Sequence, residues 1–308
     1  MISMTKRSKQ ASAWGAAVFL LMLVPIVTLR NDVLSFLLTF FLYITLAQSW
    51  NLIGGYAGQM NLGHGAFFGL GVIISRHLWL GVGLPIPLAI MGGAGAALLM
   101  GLIIGIPAFR LKDIYFVMGT LVFAEILRII VYTNLPRASV MPMNYLTHYS
   151  LVPRYYLSLV VAVIAIVVMY VISKAKVGLG LTAIREDEDA AGCLGVGLLR
   201  HKLFAFTVST FFAGMAGGVF AYYSVAVTAG HMFEHLWTFD AVIIAFVGGV
   251  GTILGPVVGA VFFAFLKQFL SMYMPEGVHV AVFGVLFILV VLLLPGGLIE
   301  LIRKIRGR

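Results

Sequence analysis

Long apolar segments with few charged side chains constrain the fold of this chain more than any other feature. They lie at 13–29, 33–53, 60–80, 85–107, 114–132, 155–173, 203–227, 239–253, 255–270 and 278–295. The hydrocarbon core of a bilayer is about 30 Å thick, and an α-helix crosses it with about 20 residues. The segments therefore predict about ten transmembrane helices, and the division of 239–270 into two spans stays open.

The composition supports a membrane protein without a soluble domain of useful size. Hydrophobic residues make up 62% of the chain and charged residues only 10%, whereas soluble domains are about a quarter charged. Backbone groups in lipid must be bonded within a helix or a closed barrel, and no segment alternates with the period of two that a barrel strand requires. We predict an all-α, polytopic inner-membrane protein in which residues 1–308 form a single transmembrane domain.

The distribution of basic residues predicts the orientation in the membrane. A net charge of +9 would suggest nucleic acid as a partner of a soluble protein, but cytoplasmic loops of membrane proteins are enriched in lysine and arginine. Basic clusters at 6–9 and 303–308 flank the first and last spans. We interpret the first span as retained rather than as a cleaved signal peptide. We expect both termini and 174–202 to be cytoplasmic, 133–154 and 228–238 to be external, and no nucleic acid to bind.

The polar segment 178–202 separates the two apolar halves of the chain. Its centre carries consecutive charged residues followed by alanines and a glycine: Arg185, Glu186, Asp187, Glu188, Asp189, Ala190, Ala191 and Gly195. Acids in the first turns of a helix are favoured by its dipole, and a glycine is typical of its end. Two interpretations stay open: a solvated loop helix, or a helix over 182–195 on which a soluble cytoplasmic partner docks.

The docking interpretation carries specific expectations. At helical spacing, the following residues share an apolar side: Leu181, Ile184, Ala191 and Leu194. Ala190 and Ala191 would be small because the groove of the partner leaves no room for larger side chains. Gly195 would adopt a positive φ where the chain turns sharply towards the next span.

Two glycine-rich stretches, at 51–65 and 248–259, interrupt the apolar segments of the chain. Interrupted segments are typical of transport pathways, because irregular backbone survives at membrane depth only beside protein or water. Small residues spaced by four are equally typical of close helix packing. The first stretch adds polar groups that lipid does not tolerate, and we predict that these line or brace a substrate pathway: Asn51, Gln59, Asn61 and His64. For the second stretch we favour packing.

Other polar residues are further candidates for sites. Glu125 and Arg128 lie three apart on one helix face and form either a structural ion pair or a substrate contact. His231 and His235 match H-x-x-E-H, but no third ligand is evident, and we predict no metal site. The single cysteine, Cys193, excludes an internal disulfide. No nucleotide-binding G-x-x-x-x-G-K-[ST] motif occurs, so the chain cannot hydrolyse ATP alone, and we assign no catalytic residue.

Four segments resemble the branched-chain amino acid (LIV-type) permease family of ATP-binding-cassette (ABC) importers, M-type subunit. They are GGYAGQMNLGHGAFFGLG at 54–71, RLKDIYFVMGTLVFAEILRII at 110–130, AIREDEDAAGCLGV at 183–196 and FVGGVGTILGPVVGA at 246–260. The resemblance implies ABC-importer permease architecture in a bacterial inner membrane, with 174–202 as the ATPase-docking loop. It also implies four partner chains: a second related permease, two cytoplasmic ATPases that hold the ATP and magnesium, and an external substrate-binding protein. No cofactor is expected in this chain itself.

The substrate implied by the resemblance is a branched-chain or other hydrophobic amino acid, moved inward by alternating access. Urea, short amides and aromatic acids stay open as alternatives, because residues 134–142 depart from the Gly-rich turn usual in the family. An ion-coupled secondary transporter is the rival from another class. It would require intramembrane carboxylates, for which Glu125 and Asp240 are the candidates. A membrane metalloenzyme built on 231–235 is the third possibility.

Overall fold

The computed structural model describes residues 15, 18–28, 30–134, 139–273, 278–293 and 296–305, and its described part is almost entirely helical. The helices are α1 (Val18–Val27), α2 (Asn31–Trp50), α3 (His64–Arg76), α4 (Ile86–Ala108), α5 (Asp113–Asn134), α6 (Met143–Leu146), α7 (Leu151–Lys174), α8 (Lys176–Glu186), α9 (Glu188–Cys193), α10 (Leu198–Tyr223), α11 (Ala229–Met232), α12 (Leu236–Gly248), α13 (Gly255–Tyr273), α14 (Val278–Leu293) and α15 (Gly297–Ile305). Short π-helices, Asn51–Tyr56 and His77–Gly81, extend α2 and α3. Strands β1 (Ser139–Val140) and β2 (Ala226–Val227) pair antiparallel.

Within the described residues, six helices are long and apolar enough to cross a membrane by themselves. They are α2 with its π-helical extension, α4, α5, α7, α10 and α13. The predicted count of about ten is therefore not confirmed by this criterion, although the polytopic all-α class is. The apolar run 60–80 becomes helical only at His64. Helix α12 ends after 13 residues at Gly248, and the next residue, Gly249, has a φ of +124°.

Helix α10 forms the centre of the bundle and packs between α3 and α4. Small residues allow this approach: a Cβ added at Gly71 would overlap the backbone of Gly214, and one added at Gly217 would overlap the carbonyl of Phe68. Close backbone approach at small residues is a common way for helices to associate in membranes, where lipid removes the hydrophobic drive. Helices α2, α7, α12 and α13 complete the bundle around this centre.

The second glycine stretch forms the seam between α12 and α13. A Cβ added at Gly248 would overlap the carbonyl of Gly255, and one added at Gly259 would overlap the carbonyl of Ile244. Neither position leaves room for a larger side chain. The packing interpretation is confirmed for Gly248, Gly255 and Gly259, whereas Gly251 lies between the two helices.

A buried arginine holds together the end of the bundle where β1 and β2 pair. Arg76 is only 3% exposed. Its guanidinium donates to the carbonyl oxygens of Ser139, Ala221, Ser224 and Val225 and to the hydroxyl of Ser139, at 2.8 to 3.0 Å. A buried charge is tolerated where its donors are satisfied in this way. Arg76 thus fixes the long connection after α5 to the end of α10.

Candidate functional site

The predicted docking segment is two helices, α8 and α9, rather than one helix over 182–195. Asp187 separates them with extended backbone angles (φ −158°, ψ 114°). Its Oδ1 accepts a hydrogen bond from the N–H of Ala190 at 2.9 Å, which is the N-cap role that a short carboxylate fills well. The single-helix prediction is wrong because the capping bond favours a new helix start at this acid.

The apolar side of the segment differs from the prediction at one position. Leu181, Ile184 and Ala191 are buried, whereas Leu194 is 83% exposed. Helix α9 ends at Cys193 and Gly195 has a φ of +85°, so Leu194 leaves the helical register. The positive φ of Gly195 is as predicted. The prediction that Leu194 shares the apolar side is wrong.

The two alanines lie in different environments. Ala190 is exposed, but Ala191 is only 2% exposed and packs within this chain. A partner groove therefore cannot set the size of Ala191, and that expectation is wrong. The space available inside the chain itself limits the size of the side chain at position 191.

The acids of the segment also divide into two groups. Glu186, Asp187 and Asp189 are exposed. Glu188 is half-buried and pairs with Lys202, whose side chain is 7% exposed. This ion pair ties α9 to the N-terminal part of α10. The exposed surface of α8 and α9 consequently includes these three acids together with Leu179, Arg185 and Ala190, and Leu194 follows directly after α9.

Arg185 reaches from α8 to both glycine-rich stretches. Its Nη1 donates to the carbonyl of Gly55 at 2.9 Å. A Cβ added at Gly58 would lie 3.1 Å from the Arg185 side chain, and one added at Gly251 would overlap its guanidinium. The sequence analysis predicted Arg185 as a docking residue. In the structure its guanidinium lies against Gly55 and Gly251 instead.

The two glycine stretches contact each other at the same place. The side-chain oxygen of Asn51 accepts the N–H of Gly251 at 2.8 Å, and its Nδ2 donates to the carbonyl of Thr252 at 2.9 Å. Gln48 donates to the carbonyl of Ile253 at 2.6 Å. We call residues 48–58, 249–253 and Arg185 the glycine junction. Sequence reasoning did not predict this meeting, since it joins residues more than 100 positions apart.

The residues predicted to line or brace a pathway are mostly engaged inside the chain. Asn51, Asn61 and His64 are fully buried, and Gln59 is half-buried. The side-chain oxygen of Asn61 accepts the N–H of Gly63 at 2.9 Å, and Nε2 of His64 lies 2.8 Å from the hydroxyl of Ser49. These contacts hold the break between α2 and α3. A role of the four residues in a pathway stays a prediction.

A buried ion pair between α12 and α13 was missed from the sequence. Nζ of Lys267 lies 2.8 Å from Oδ2 of Asp240 and 2.9 Å from the hydroxyl of Tyr43. The Asp240 side chain is 12% exposed and that of Lys267 36% exposed. A lysine within the apolar segment 255–270 was the available signal, because an ionisable residue at that depth requires a partner.

A second group of charged residues lies between α5 and the segment before α12. Arg128 donates through Nε to Oε2 of Glu125 at 2.8 Å, as the predicted ion pair requires. Nε2 of His235 lies 3.4 Å from the same carboxylate, whereas Nδ1 of His231 lies 3.2 Å from Glu234. The two histidines thus pair with different carboxylates. The described residues contain no group of three His, Cys, Asp or Glu side chains suited to a metal ion.

These features define the class of the protein, a multi-pass helical membrane protein with polar breaks buried in its bundle. The family profile described as "branched-chain amino acid transport system / permease component" matches residues 33–291. The chain belongs to this family.

Curated relatives support the same family. The high-affinity branched-chain amino acid transport system permease protein LivM of Salmonella typhimurium is 26% identical over 85% of this chain and 68% of the relative. The protein of that name from Escherichia coli K12 gives the same identity and coverage. A probable branched-chain amino acid transport permease protein LivM of Methanocaldococcus jannaschii is 23% identical over 87% of this chain and 93% of the relative. No solved structure matches the chain.

Proposed function

We propose that this chain is the permease subunit of an ATP-driven importer that carries branched-chain or other hydrophobic amino acids into the cell. The observation that carries the proposal is the family match over 33–291, which includes the docking segment and both glycine stretches. The LivM relatives, whose printed names specify branched-chain amino acids, support the substrate class. Urea, short amides and aromatic acids are the alternative cargoes.

The proposed topology has ten crossings, with both termini in the cytoplasm of a bacterial cell and the chain in its inner membrane. Helices α1, α3, α12 and α14 supply the crossings beyond the six long helices, and the π-helical or non-helical residues beside α3 and α12 complete their length. Irregular backbone of this kind is acceptable where protein covers it, and both breaks are packed against other helices. The basic clusters at 6–9 and 303–308 favour this orientation.

The docking surface for one of two ATPase subunits is the exposed side of α8 and α9, within 174–202. Leu194 supports this assignment, since a leucine that is 83% exposed in a charged loop suits a protein contact. The exposed acids suit basic residues of a partner. The pair of Glu188 with Lys202 and the contact of Arg185 with Gly55 connect this surface to α10 and to the glycine junction.

The remaining parts of the importer are a second related permease, which completes the pathway, and an external substrate-binding protein. ATP and magnesium belong to the ATPases. Closure of the ATPases would move α8 and α9 and re-orient the pathway by alternating access. An ion-coupled mechanism finds less support, because its two candidate carboxylates, Glu125 and Asp240, are each paired with a basic side chain.

The first test measures docking. Leu194→Asp and Ala190→Trp change the exposed surface without touching the buried side of α9. We expect reduced co-purification of the ATPases and a loss of ATP-driven leucine uptake in reconstituted vesicles, with normal membrane insertion. Leu111→Asp is the matched control, an exposed leucine in the turn between α4 and α5. Full ATPase recovery with both docking variants would refute the docking surface.

The second test measures the cargo. Vesicles that contain the assembled importer and its binding protein should accumulate labelled leucine only with ATP inside the compartment that holds the ATPases. Unlabelled isoleucine and valine should compete, whereas urea, acetamide and benzoate should not. Competition by urea or benzoate alone would assign the chain to one of the alternative cargoes.

A further inference from the structure

Five partly exposed ionisable side chains lie on two neighbouring segments, and the proposed function gives them no role in transport. They are Glu125, Arg128, His231, Glu234 and His235, with exposed side-chain fractions of 35%, 38%, 54%, 43% and 32%. We call this group the mid-bundle cluster. Its members come from α5 and from residues 231–235, which precede α12 in the sequence.

The depth of the cluster makes its exposure significant. Glu125 lies near the middle of α5, a 22-residue candidate span. Nε2 of His235 lies 3.4 Å from the Glu125 carboxylate, so the His235 side chain reaches this depth as well. Charged groups at mid-membrane depth are costly in lipid and almost always face a bundle interior or a water-filled cavity. The exposed side of the cluster therefore faces water or protein rather than lipid.

Apolar residues adjoin the cluster on the same faces. Met118 lies seven residues before Glu125 on α5 and therefore on the same side of the helix, and it is 54% exposed. Phe239, four residues after His235 and one turn into α12, is 43% exposed. The exposed surface thus combines charged groups of both signs with large apolar side chains.

We propose that the mid-bundle cluster lines the translocation pathway and contacts the ammonium and carboxylate groups of an amino acid in transit. This inference rests on the proposed function and adds a binding surface to it. Arginine carries five N–H donors in a planar fork that suits carboxylates. In the described part of the chain, Nε and Nη2 of Arg128 donate to the Glu125 carboxylate. The remaining N–H donors of Arg128 suit the substrate carboxylate. Glu234 and Glu125 supply acceptors for its ammonium group.

The cluster differs from the polar residues that the sequence singled out. Asn51, Asn61 and His64 are fully buried and bonded within the chain, so a passing solute does not meet them in this conformation. The cluster presents its polar groups on the surface of the subunit. A pathway between two related permeases requires such groups on their facing surfaces.

Thiol accessibility in the assembled importer tests whether the cluster is exposed to water. Glu125→Cys and Met118→Cys, each on a Cys193→Ser background, should react with a small charged thiol reagent. Ile126→Cys is the matched control, because Ile126 is the next residue on the same helix at the same depth and is 50% exposed on another side. It should react at least about tenfold more slowly. Equal or slower reaction of both cluster-side cysteines would overturn the proposal.

Transport kinetics test whether the charges contact substrate. Glu125→Gln and Arg128→Gln should lower leucine uptake about tenfold or more, while the ATPases still co-purify with the chain. The charge-swapped variant Glu125→Arg with Arg128→Glu keeps an ion pair at this place and should stay defective. Recovery of uptake in the swapped variant would show a structural ion pair and overturn the proposal.

The two proposals fail in different ways. If the unmodified importer does not accumulate leucine, the proposed cargo is wrong whatever the cluster variants do. Thiol reactivity requires no knowledge of the cargo, so it decides on its own whether the cluster lines a wet pathway.

Discussion

At the scale of single residues, the pair of Asp240 and Lys267 places opposite charges between α12 and α13, 2.8 Å apart. Tyr43 supplies a further contact to the lysine, through its hydroxyl at 2.9 Å and its ring face with the centroid 5.2 Å from Nζ. Replacing a buried pair by apolar residues is often tolerated, but removing one partner leaves an uncompensated buried charge. The pair is therefore expected to be intolerant of single substitutions.

Lys267→Met should destabilise the protein by about 3–5 kcal/mol, because it leaves Asp240 buried without its cation. Thermal unfolding of the purified protein in detergent measures the loss. The double variant Lys267→Met with Asp240→Leu should recover most of it. A double variant no more stable than Lys267→Met would contradict this account.

Arg185 is the second residue whose contacts suggest a function. It belongs to α8, yet its guanidinium bonds the carbonyl of Gly55 and packs on Gly251. Arg185→Gln should preserve ATPase binding and lower ATP-driven uptake about tenfold. The shorter glutamine side chain loses the hydrogen bond to Gly55 that links the docking surface to the glycine junction. Arg200→Gln changes another exposed arginine, in the first turn of α10, and should transport normally. Loss of ATPase recovery in Arg185→Gln would indicate a direct docking role instead.

At the scale of helices, glycine decides which pairs pack closely. The α12–α13 seam and the contacts of α10 with α3 and α4 leave no space for a Cβ at several positions. Other helical glycines, such as Gly95 in α4, have open space where a Cβ would lie. Glycines of this bundle therefore differ in their structural role, and the difference depends on how closely a neighbouring helix packs against each one.

Gly259→Ala should destabilise the protein by about 1–3 kcal/mol, because the added methyl group overlaps the carbonyl of Ile244. Gly95→Ala is the matched control and should be neutral or stabilising by up to about 1 kcal/mol, since alanine is the better helix former. Thermal unfolding in detergent compares the two. A neutral Gly259→Ala would mean that α12 and α13 separate more readily than their geometry implies.

At the scale of the whole molecule, the proposed ten-crossing topology places α8 and α9 on the opposite side of the membrane from the β1–β2 end of the bundle. Residue 143, near that end, is 74% exposed. Residue 190 lies in the docking segment and is also exposed. These two positions report on the two sides.

An impermeant thiol reagent added to intact cells should label Met143→Cys and should leave Ala190→Cys unlabelled, each on a Cys193→Ser background. Permeabilised cells should then label position 190 when the ATPases are absent. The reason is the retention of basic loops in the cytoplasm. Labelling of position 190 from outside would invert the orientation and with it the docking assignment.

Several properties were determined by the sequence alone. The length and apolar character of the segments specify membrane helices, because the bilayer acts on each segment separately and requires no knowledge of its neighbours. The spacing of Gly255 and Gly259 predicted the α12–α13 seam for the same reason, since one face of one helix carries the signal. Each family motif is likewise a continuous stretch of the chain, so it can be recognised without knowledge of the fold.

Tertiary structure alone decided which of these segments meet. The bond of Asn51 to Gly251, the contact of Arg185 with Gly55 and the pair of Asp240 with Lys267 depend on helix order and tilt, which no local pattern encodes. The same holds for Ala191 and Leu194, whose burial depends on where α9 stops and the chain turns. A helical pattern states which residues share a face, and only the packed bundle determines what that face contacts.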